Sequence, residues 1–426
     1  MEESHAPSDL GSIEKGLDTE MPRENKGELP KDAIPNFPEG GFKAWLTVSG
    51  AAAALFVSFG WVNCITLFQA NYEMNQLKGY PRSTISWITS MEFFFMMFMS
   101  PVAGRLFDRY GPRVPLLIGT VLHVLGLMMA SISTKYCQFV LSQSVCSGIG
   151  ASFIFNPAMA APQTYFRERR GLIAGLTVAG SSLGGVIFQL MVQHLLPAVG
   201  FGWTMRICAF LILELLVYAD LTITSNFNHG PRPFKLSNYL LPLKELEFNI
   251  MWFSMFFLFL VSTIHYGMPQ SLAYSLVPVL NGASFIGRTL PNYIGDRIGR
   301  FNVMIVMTLF SATLVLALWL PGRSMGAIFA FAALFGISSG AEIGLGLPLI
   351  AVVSPMKELG YRMGMIVSIA SIATLTSPPI GGAIVARDDG SFTYPCVFSG
   401  VSFFVSLVGY TALRVRLGGS RLTIKI

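Results

Sequence analysis

The chain has 426 residues, of which 53% are hydrophobic and only 12% are charged. Soluble globular proteins carry about 25% charged residues, so the composition excludes an ordinary soluble protein and indicates a membrane protein. Residues 1–39 hold four basic and ten acidic side chains, which leaves 25 basic and 13 acidic side chains for the rest of the chain. Those basic side chains fall in short loops between apolar runs and form no basic stripe, so we expect no nucleic-acid partner.

The first 38 residues are polar, rich in Glu, Pro, Gly and Lys, and show no apolar period. This composition predicts a disordered tail. The tail has no basic start followed by a short apolar core and a small-residue cleavage site. We therefore expect no cleaved secretory signal, and we expect the first helix to direct membrane insertion.

From Trp45 onward, long apolar runs alternate with short polar breaks, as transmembrane helices of roughly 20 residues require. Six runs occupy the first half, at 45–70, 85–102, 114–132, 139–161, 172–196 and 201–219. Six more occupy the second half, at 250–264, 272–294, 303–320, 325–353, 363–386 and 394–413. We predict an all-α integral membrane protein with twelve transmembrane helices in two six-helix halves, residues 39–219 and 250–413, with a linker at 220–249 and a tail at 414–426.

The seventh run, 250–264, is about 15 residues long and too short for a full crossing. Only residues 265–271 separate it from the eighth run. Two explanations stay open at this point. Either the helix also includes Leu246 to Asn249 and is capped by Tyr266, or the chain lacks a segment that its relatives possess.

Orientation follows from the Lys and Arg residues in alternate breaks. One set holds only five: Lys78, Arg82, Lys135, Arg323 and Arg387. The opposite set holds seventeen, including the N-terminal half's Arg105, Arg109, Arg113, Arg167, Arg169 and Arg170. Basic residues concentrate on the cytoplasmic side of a membrane protein, so we predict that the linker and both termini are cytoplasmic.

Two charged, glycine-containing stretches mark the two halves. They are GRLFDRYGPR at 104–113 and DRIGR at 296–300, and their aspartates lie 188 positions apart. This spacing implies duplicated halves. The first stretch resembles the G-x-x-x-D-R-x-G-x-R loop of the major facilitator superfamily, and the second has Asn292 in place of the leading glycine. The resemblance implies that superfamily's twelve-helix fold.

Three further motifs narrow the resemblance. They are EGGF at 39–42, YFRERRGLIAGLTVAGS at 165–181 and SPPIGG at 377–382. All three are similar to motifs of the monocarboxylate transporter family, which lie before the first helix and in the fifth and eleventh helices. FGWVN at 59–63 and RFNV at 300–303 resemble fungal members in particular. The resemblance implies alternating-access transport of a small organic anion.

Arg288 is the strongest candidate for substrate binding. It lies eight residues before Asp296, which places it roughly 12 Å into the membrane core, where an unused charge is rarely kept. A guanidinium can hold a carboxylate through two hydrogen bonds, and the matching position of the monocarboxylate transporter family carries the substrate-binding arginine. We predict Asn63 and Ser284 as its neighbours at the substrate. A structural internal ion pair of Arg288 is the alternative.

The family's proton relay is missing here. Its proton-linked members place an aspartate where this chain has Ser284 and a lysine where it has Asn63. If transport is coupled to protons, the carboxyl group comes from elsewhere, and Glu342 and Glu92 are the candidates because each lies roughly 18 Å from a cytoplasmic helix end. Each can instead be a packing residue. His123 is also near the membrane midplane, and we expect it to be a packing residue.

Charged residues at the cytoplasmic helix ends are candidates for gating. We predict that they form ion pairs that favour one of two transport states; the alternative is that they only fix the topology. The gating candidates are Asp108, Arg109, Arg113, Arg169, Arg170, Asp296, Arg297 and Arg300. In the fifth helix, the glycine pairs 171/175 and 180/184 predict close helix contacts, and such contacts can pack statically or slide during transport.

The sequence shows no motif that indicates an enzyme, a metal site or a nucleotide-binding site. GISSG at 336–340 spells G-x-S-x-G but falls inside an apolar helix, the five cysteines form no C-x-x-C motif, and the five histidines do not cluster. We expect no enzyme activity, no cofactor, no metal site and no ATP site. The leading hypothesis is a secondary active or facilitative transporter of a small monocarboxylate-like anion, with protons as a further partner if it is a symporter.

Two alternative functions stay open. One is a carrier or exporter of riboflavin or a secondary metabolite, and the other is a transporter-like sensor that binds its ligand without moving it. For each we expect a multi-pass protein in the lipid bilayer, of the plasma membrane rather than the vacuolar membrane. Protein partners are not indicated by any motif.

Overall fold

The computed structural model describes residues 37–227, 229–230, 241–262, 270–321, 324–355, 358–387 and 393–419. Within these ranges the secondary structure is helical, with short connections. Nearly all of the predicted tail, the middle of the predicted linker and the last seven residues lie outside them. Tyr266, the predicted cap of the seventh helix, also lies outside.

The first half contains six helices. They are α1 (Phe42–Val57 and Phe59–Met74), α2 (Arg82–Phe98 and Ser100–Tyr110), α3 (Arg113–Ala130), α4 (Tyr136–Phe139, the π-helical turn Val140–Ser147, and Gly148–Gln163), and the stretch Arg170–Thr222, which holds α5 and α6. This stretch of 53 residues is broken at Gly200, whose φ is 74°. Glycine adopts that conformation without the steric cost that other residues bear, so the chain turns there between α5 (170–199) and α6 (201–222).

The described part of the second half contains six more helices. They are α7 (Leu246–Ser262), α8 (Gln270–Ile298), α9 (Arg300–Leu314 and the π-helical turn Val315–Trp319), α10 (Met325–Val352), α11 (Leu359–Arg387) and α12 (Thr393–Gly418). Helix α7 begins at Leu246, as one of the two explanations of the short seventh run requires. The described part of α7 is 17 residues long, which is close to the minimum for a crossing.

Most of these helices are long enough to span a membrane. Within the described residues, nine helical stretches are long and apolar enough to cross a membrane, and the broken stretch Arg170–Thr222 is one of the nine. Counting its two arms separately and adding α7 and α8 gives the twelve helices that the sequence predicts. The protein is therefore an all-α, multi-pass membrane protein.

The charged stretches at 104–113 and 296–300 differ from the loops that the sequence predicts. Residues up to Tyr110 continue α2, and residues up to Ile298 continue α8. The turns occur at Gly111 and Gly299, whose φ angles are 77° and 101°. The helices extend past the apolar runs because the change in polarity marks the membrane boundary, whereas a glycine with positive φ ends the helix. The linker is likewise shorter than predicted, since α6 continues to Thr222.

Small residues bring the two halves together. A Cβ atom at Gly175 of α5 would lie 2.1 Å from the carbonyl oxygen of Arg288 in α8, and one at Gly104 of α2 would lie 2.1 Å from that of Gly360 in α11. The opposite face of α5 contacts α1, since a Cβ at Gly180 would lie 2.1 Å from the oxygen of Ala52. The two predicted glycine pairs of α5 therefore serve two different interfaces, one within the first half and one between the halves.

Candidate functional site

A central cavity of about 90 Å³ lies between the two halves. Helices α1, α2, α4 and α5 form its wall on one side, and α7, α10, α11 and α12 form its wall on the other. The wall is apolar and rich in Phe, Met, Leu and Ile. Among the described residues, the polar side chains that line it are Ser181, Ser339 and Glu342. A cavity with this lining fits an apolar molecule that carries few polar groups.

Glu342 is the ionisable side chain of this wall. It lies in α10 and is only 3% exposed, and its Oε1 accepts a 2.9 Å hydrogen bond from the Ser311 hydroxyl of α9. One turn further along α10, Gly346 makes room for the Met255 side chain of α7. A protonated carboxyl group can donate a hydrogen bond to a ligand, whereas the ionised form can only accept one or bind a cation. Glu342 is therefore the side chain of the cavity wall that can carry a charge or bind a proton.

Arg288 lies behind the cavity wall. Its side chain is 3% exposed, and its Nη1 donates to the Val178 carbonyl oxygen at 2.9 Å and to the Ser181 hydroxyl. Both acceptors belong to α5 of the other half, and both residues line the cavity. The Nε of Arg288 has no hydrogen-bond partner among the described residues. Arg288 thus joins the two halves next to the cavity, and its Nε–H donor is left without a partner among the described residues.

Asn63 and Ser284, the predicted neighbours of Arg288, do not line the cavity. Ser284 is buried against Gly340 of α10, where a Cβ would lie 2.7 Å from its hydroxyl. Asn63 lies against Gly185, at the contact between α1, α5 and α8. Of the three predicted substrate ligands, none lines the central cavity, and their role in substrate binding stays a prediction.

Two aspartates cap helices of the opposite half at the predicted cytoplasmic end. The Asp108 carboxylate accepts hydrogen bonds from the backbone N–H groups of Gly360, at 3.1 Å, and Tyr361, at 2.9 Å. The Asp296 carboxylate accepts from those of Gly171 and Leu172, both at 2.8 Å. The first N–H groups of a helix lack intrahelical partners and carry partial positive charge. We call these two contacts the aspartate caps.

The other gating candidates form fewer contacts between the halves. Arg300 binds Asp296 at 2.9 Å and reaches the carbonyl oxygens of Arg167 and Glu168 at 3.4 Å. Arg170 is buried and donates to the Phe166 carbonyl oxygen. Four arginines are exposed, of which two stack on a neighbouring tyrosine of their own helix; the four are Arg109, Arg113, Arg169 and Arg297.

Two further contacts at the predicted cytoplasmic end were not foreseen from the sequence. Glu39 accepts hydrogen bonds from the backbone N–H groups of Arg167 and Glu168, at 2.5 and 2.9 Å, and so ties the start of α1 to the α4–α5 connection. Arg362 of α11 binds both oxygens of Glu245, at 2.6 and 2.7 Å. The EGGF motif is the sequence signal for the first contact. The second has no local signal, because its partners are 117 positions apart.

Glu92 is fully buried inside the first half and does not line the cavity. Its carboxyl oxygens accept hydrogen bonds from Gln143 at 2.9 Å and from Ser147 at 3.4 Å. The two predicted proton-coupling candidates therefore occupy different environments. Glu342 faces the cavity, and Glu92 faces a polar cluster within α1 to α4.

The described helices form two halves that are joined by the aspartate caps and enclose a cavity between them. This is the architecture of a membrane transporter. The sequence matches the Major Facilitator Superfamily over residues 50–289. The chain belongs to this superfamily. It is 64% identical over 422 residues to the "MFS-type transporter opdF" of Penicillium oxalicum, covering 96% of this chain and 100% of the relative.

A second relative and a solved structure extend the comparison. The "Fujikurins efflux protein" of Gibberella fujikuroi is 37% identical over 419 residues, covering 94% of this chain and 90% of the relative. The crystal structure of the human organic anion transporter MFSD10 (TETRAN) has a TM-score of 0.69 at 14% identity, covering 86% of this chain and all of that one. The fungal relatives agree with the resemblance to fungal transporters, while the monocarboxylate family stays a prediction.

Proposed function

We propose that this protein is a secondary transporter that exports an apolar small metabolite by alternating access through the central cavity. The observation that carries the proposal is the cavity lining, which is apolar except for two hydroxyl groups and the Glu342 carboxyl group. A relative named for the efflux of fujikurins supports export. This is the secondary-metabolite alternative of the sequence analysis.

The cavity chemistry favours this function over monocarboxylate transport. A short carboxylate has little apolar surface to bury and would bring its charge into an apolar space that already holds Glu342. Burying a charge without a partner is costly. An apolar molecule instead gains about 25 cal/mol for each Å² of surface that leaves water. A hydroxyl or amine group on that molecule would find its partner at Glu342.

Organic-anion transport is the second candidate function, and Arg288 favours it. The partners of this buried guanidinium are a carbonyl oxygen and a hydroxyl group, both neutral. None of the salt bridges found among the described residues involves it. A substrate carboxylate near Ser181 would neutralise the charge and use the spare Nε donor.

The aspartate caps supply the conformational part of the mechanism. They join the halves at the predicted cytoplasmic end, so the cavity can open there only after both caps separate. Glycine-lined contacts such as those at Gly104 and Gly175 let the halves pack closely in the joined state and present smooth surfaces when the halves rock apart.

A transport assay with a filled cavity tests the proposal. Purified protein in proteoliposomes would be assayed for exchange of a short labelled monocarboxylate, riboflavin and a larger hydrophobic compound. We expect exchange of the hydrophobic compound, and its loss in Ser339→Phe, which fills the cavity. Leu334→Phe places the same side chain on an exposed position of α10 and is the control. Exchange of the monocarboxylate alone would favour the anion function, and exchange that survives Ser339→Phe would remove the cavity from the transport path.

A further inference from the structure

A cluster of buried polar side chains lies inside the first half, apart from the central cavity. Its members are fully buried and come from four helices, and none lines the cavity. We call it the Glu92 cluster, and it comprises Tyr72 of α1, Glu92 of α2, His123 of α3, and Gln143 and Ser147 of α4. Buried ionisable groups in a membrane helix bundle are costly and mark functional sites by default.

Hydrogen bonds connect the cluster from end to end. The Tyr72 hydroxyl donates to Gln143 Oε1 at 2.6 Å, and Gln143 Nε2 donates to Glu92 Oε2 at 2.9 Å. On the other side of the carboxyl group, the Ser147 hydroxyl lies 3.4 Å from Glu92 Oε1 and 2.9 Å from His123 Nδ1. Ser147 therefore bridges the two ionisable side chains directly.

The Ser147 hydroxyl has one hydrogen, which it can donate either to Glu92 or to His123, and its oxygen can accept a hydrogen bond from the other residue. When Glu92 is protonated, its O–H donates to Ser147 Oγ, and Ser147 donates to His123 Nδ1. When Glu92 is ionised, Ser147 donates to the carboxylate, and a protonated Nδ1 of His123 donates to Ser147 Oγ. A proton can thus pass between Glu92 and His123 through the hydroxyl group, while the Glu92 carboxyl group, Ser147 Oγ and His123 Nδ1 stay hydrogen-bonded to one another in both arrangements.

The backbone of α4 is shaped around this cluster. Gln143 and Ser147 both belong to the π-helical turn Val140–Ser147, and π-helical turns occur frequently at functional sites. The two glycines that follow bring α4 against the ionisable residues. A Cβ at Gly148 would lie 2.8 Å from the Glu92 carbonyl oxygen, and one at Gly150 would lie 2.4 Å from the His123 backbone nitrogen.

None of the hydrogen bonds found among the described residues joins the cluster to a lysine or an arginine. Helix α11, packed against α2, has no titratable side chain between Arg362 and Arg387. The salt bridges found among the described residues do not include Glu92 or His123. Besides the cluster member Tyr72, the titratable neighbours found among the described residues are Cys64 of α1, Cys146 of α4, whose thiol lies 3.3 Å from the Leu122 carbonyl oxygen, and Asp220 of α6, which accepts from Thr120 one turn before His123.

We propose that the Glu92 cluster is a proton-binding site whose occupancy is coupled to transport. A buried carboxyl group favours its protonated form unless a cation such as protonated His123 lies nearby, so loss of the proton from the whole cluster must accompany a change in its surroundings. The cluster lies close to the cavity wall, because the ring of Phe93, the residue after Glu92, packs on the ring of Phe59 with 5.7 Å between the centroids, and Phe59 lines the cavity. A change at Glu92 can therefore reach the cavity through packed side chains. The coupling rests on the proposed transport function, while the proton site itself does not.

Two transport assays in proteoliposomes separate proton coupling from translocation. Exchange of the hydrophobic compound at equal pH needs no net proton movement, whereas accumulation driven by a pH gradient does. We expect Glu92→Gln to keep exchange and to lose gradient-driven accumulation. Accumulation equal to that of the unaltered protein would overturn the proposal.

A matched pair of serine variants covers the case in which Glu92→Gln does not fold. Ser147→Ala breaks the bridge between Glu92 and His123, whereas Ser144→Ala removes a hydroxyl of the same π-helical turn that donates to the Ile88 carbonyl oxygen. We expect loss of gradient-driven accumulation in Ser147→Ala alone. Equal behaviour of the two variants would contradict the relay.

Difference infrared spectroscopy tests the proton site without a substrate. On titration of the purified protein, we expect a band of protonated carboxyl groups that changes with pH, loses intensity in Glu92→Gln and titrates differently in Ser147→Ala. A band that does not change with pH means that Glu92 holds its proton permanently, which would refute the site. If the unaltered protein shows this titration but exchanges none of the compounds, the transport function fails and the proton site stands.

Discussion

The carboxylate of Asp108 accepts a 2.9 Å hydrogen bond from the backbone N–H of Tyr361, although the two residues lie 253 positions apart and in opposite halves. The carboxylate of Asp296 makes the equivalent bond to the N–H of Leu172. The repeat that the sequence shows as DR-x-G therefore appears in three dimensions as a reciprocal exchange, in which each half caps one helix of the other. Opening of the predicted cytoplasmic end must break both caps.

Asp108→Asn tests the first cap. The amide side chain keeps one acceptor but loses the charge that favours the positive end of α11, so we expect the joined state to lose about 1 kcal/mol, a change of about fivefold in the ratio of joined to open molecules. Distances between spin labels on the ends of α2 and α11 would measure this ratio. Arg109→Ala in the same segment is the control, since Arg109 is exposed. Identical distance distributions for Asp108→Asn and the unaltered protein would show that the cap does not set the state.

Gly175→Ala tests the contact between α5 and α8. Its Cβ would lie 2.1 Å from the Arg288 carbonyl oxygen, so the helices must move apart, at a cost of about 1 to 3 kcal/mol to the joined state. We expect a lower thermal unfolding midpoint and greater labelling of cysteines placed between the halves. Gly282→Ala in α8 is the control, because its Cβ would meet no atom within 4 Å. Equal midpoints for the two variants would mean that α5 and α8 do not need to approach this closely.

Much of the fold follows from the sequence alone, because apolar length and glycine placement report on the membrane and on helix ends. The predicted run 272–294 lies inside the observed α8, Gln270–Ile298, which extends it by two polar residues at the start and by Gly-Asp-Arg-Ile at the end. The two halves follow from the repeated aspartates. The cap contacts do not, because Asp108 and Gly360 are brought together by packing of distant helices, which no local pattern encodes.

The candidate site was predictable only in part. Charges within apolar runs stand out in a sequence, so Arg288, Glu342 and Glu92 could be found. Their surroundings could not, because the rotation of each helix about its own axis depends on its neighbours. Glu342 faces the cavity, whereas Arg288 faces α5. His123, expected to be a packing residue, lies 2.9 Å from the Ser147 hydroxyl beside Glu92.

His229, in the predicted linker, makes a contact with the end of α2 that we expect to depend on pH. Its Nδ1 lies 3.2 Å from the Asp108 carbonyl oxygen, its ring packs on Phe107, and burial lowers its pKa below the ordinary value. The undocked ring therefore binds a proton more readily than the docked one. The contact is stable above the ordinary pKa of about 6.5 and weakens as the pH falls through that value.

Amide hydrogen exchange of the segment 104–113 would measure this dependence. After correction for the intrinsic effect of pH on exchange, we expect weaker protection at about pH 5.5 than at about pH 7.5, on either side of the ordinary histidine pKa. His229→Gln should remove the difference. His194→Gln, at an exposed histidine, should retain it. A difference that persists in His229→Gln would assign the pH effect to another group.

Arg288→Gln separates the two candidate functions. If the substrate is an organic anion held by the guanidinium, the substitution abolishes its exchange, whereas Ser181→Ala, which removes a hydrogen bond of Arg288 but keeps its charge, costs only about 1 kcal/mol of binding. If the substrate is an apolar metabolite in the cavity, Arg288→Gln loosens the contact between α8 and α5, Ser181→Ala loosens the same contact and removes one hydroxyl group from the cavity wall, and each reduces exchange of the metabolite without abolishing it. Exchange assays of both variants with the short monocarboxylate and the hydrophobic compound would therefore assign Arg288 either to the substrate or to the interface between the halves.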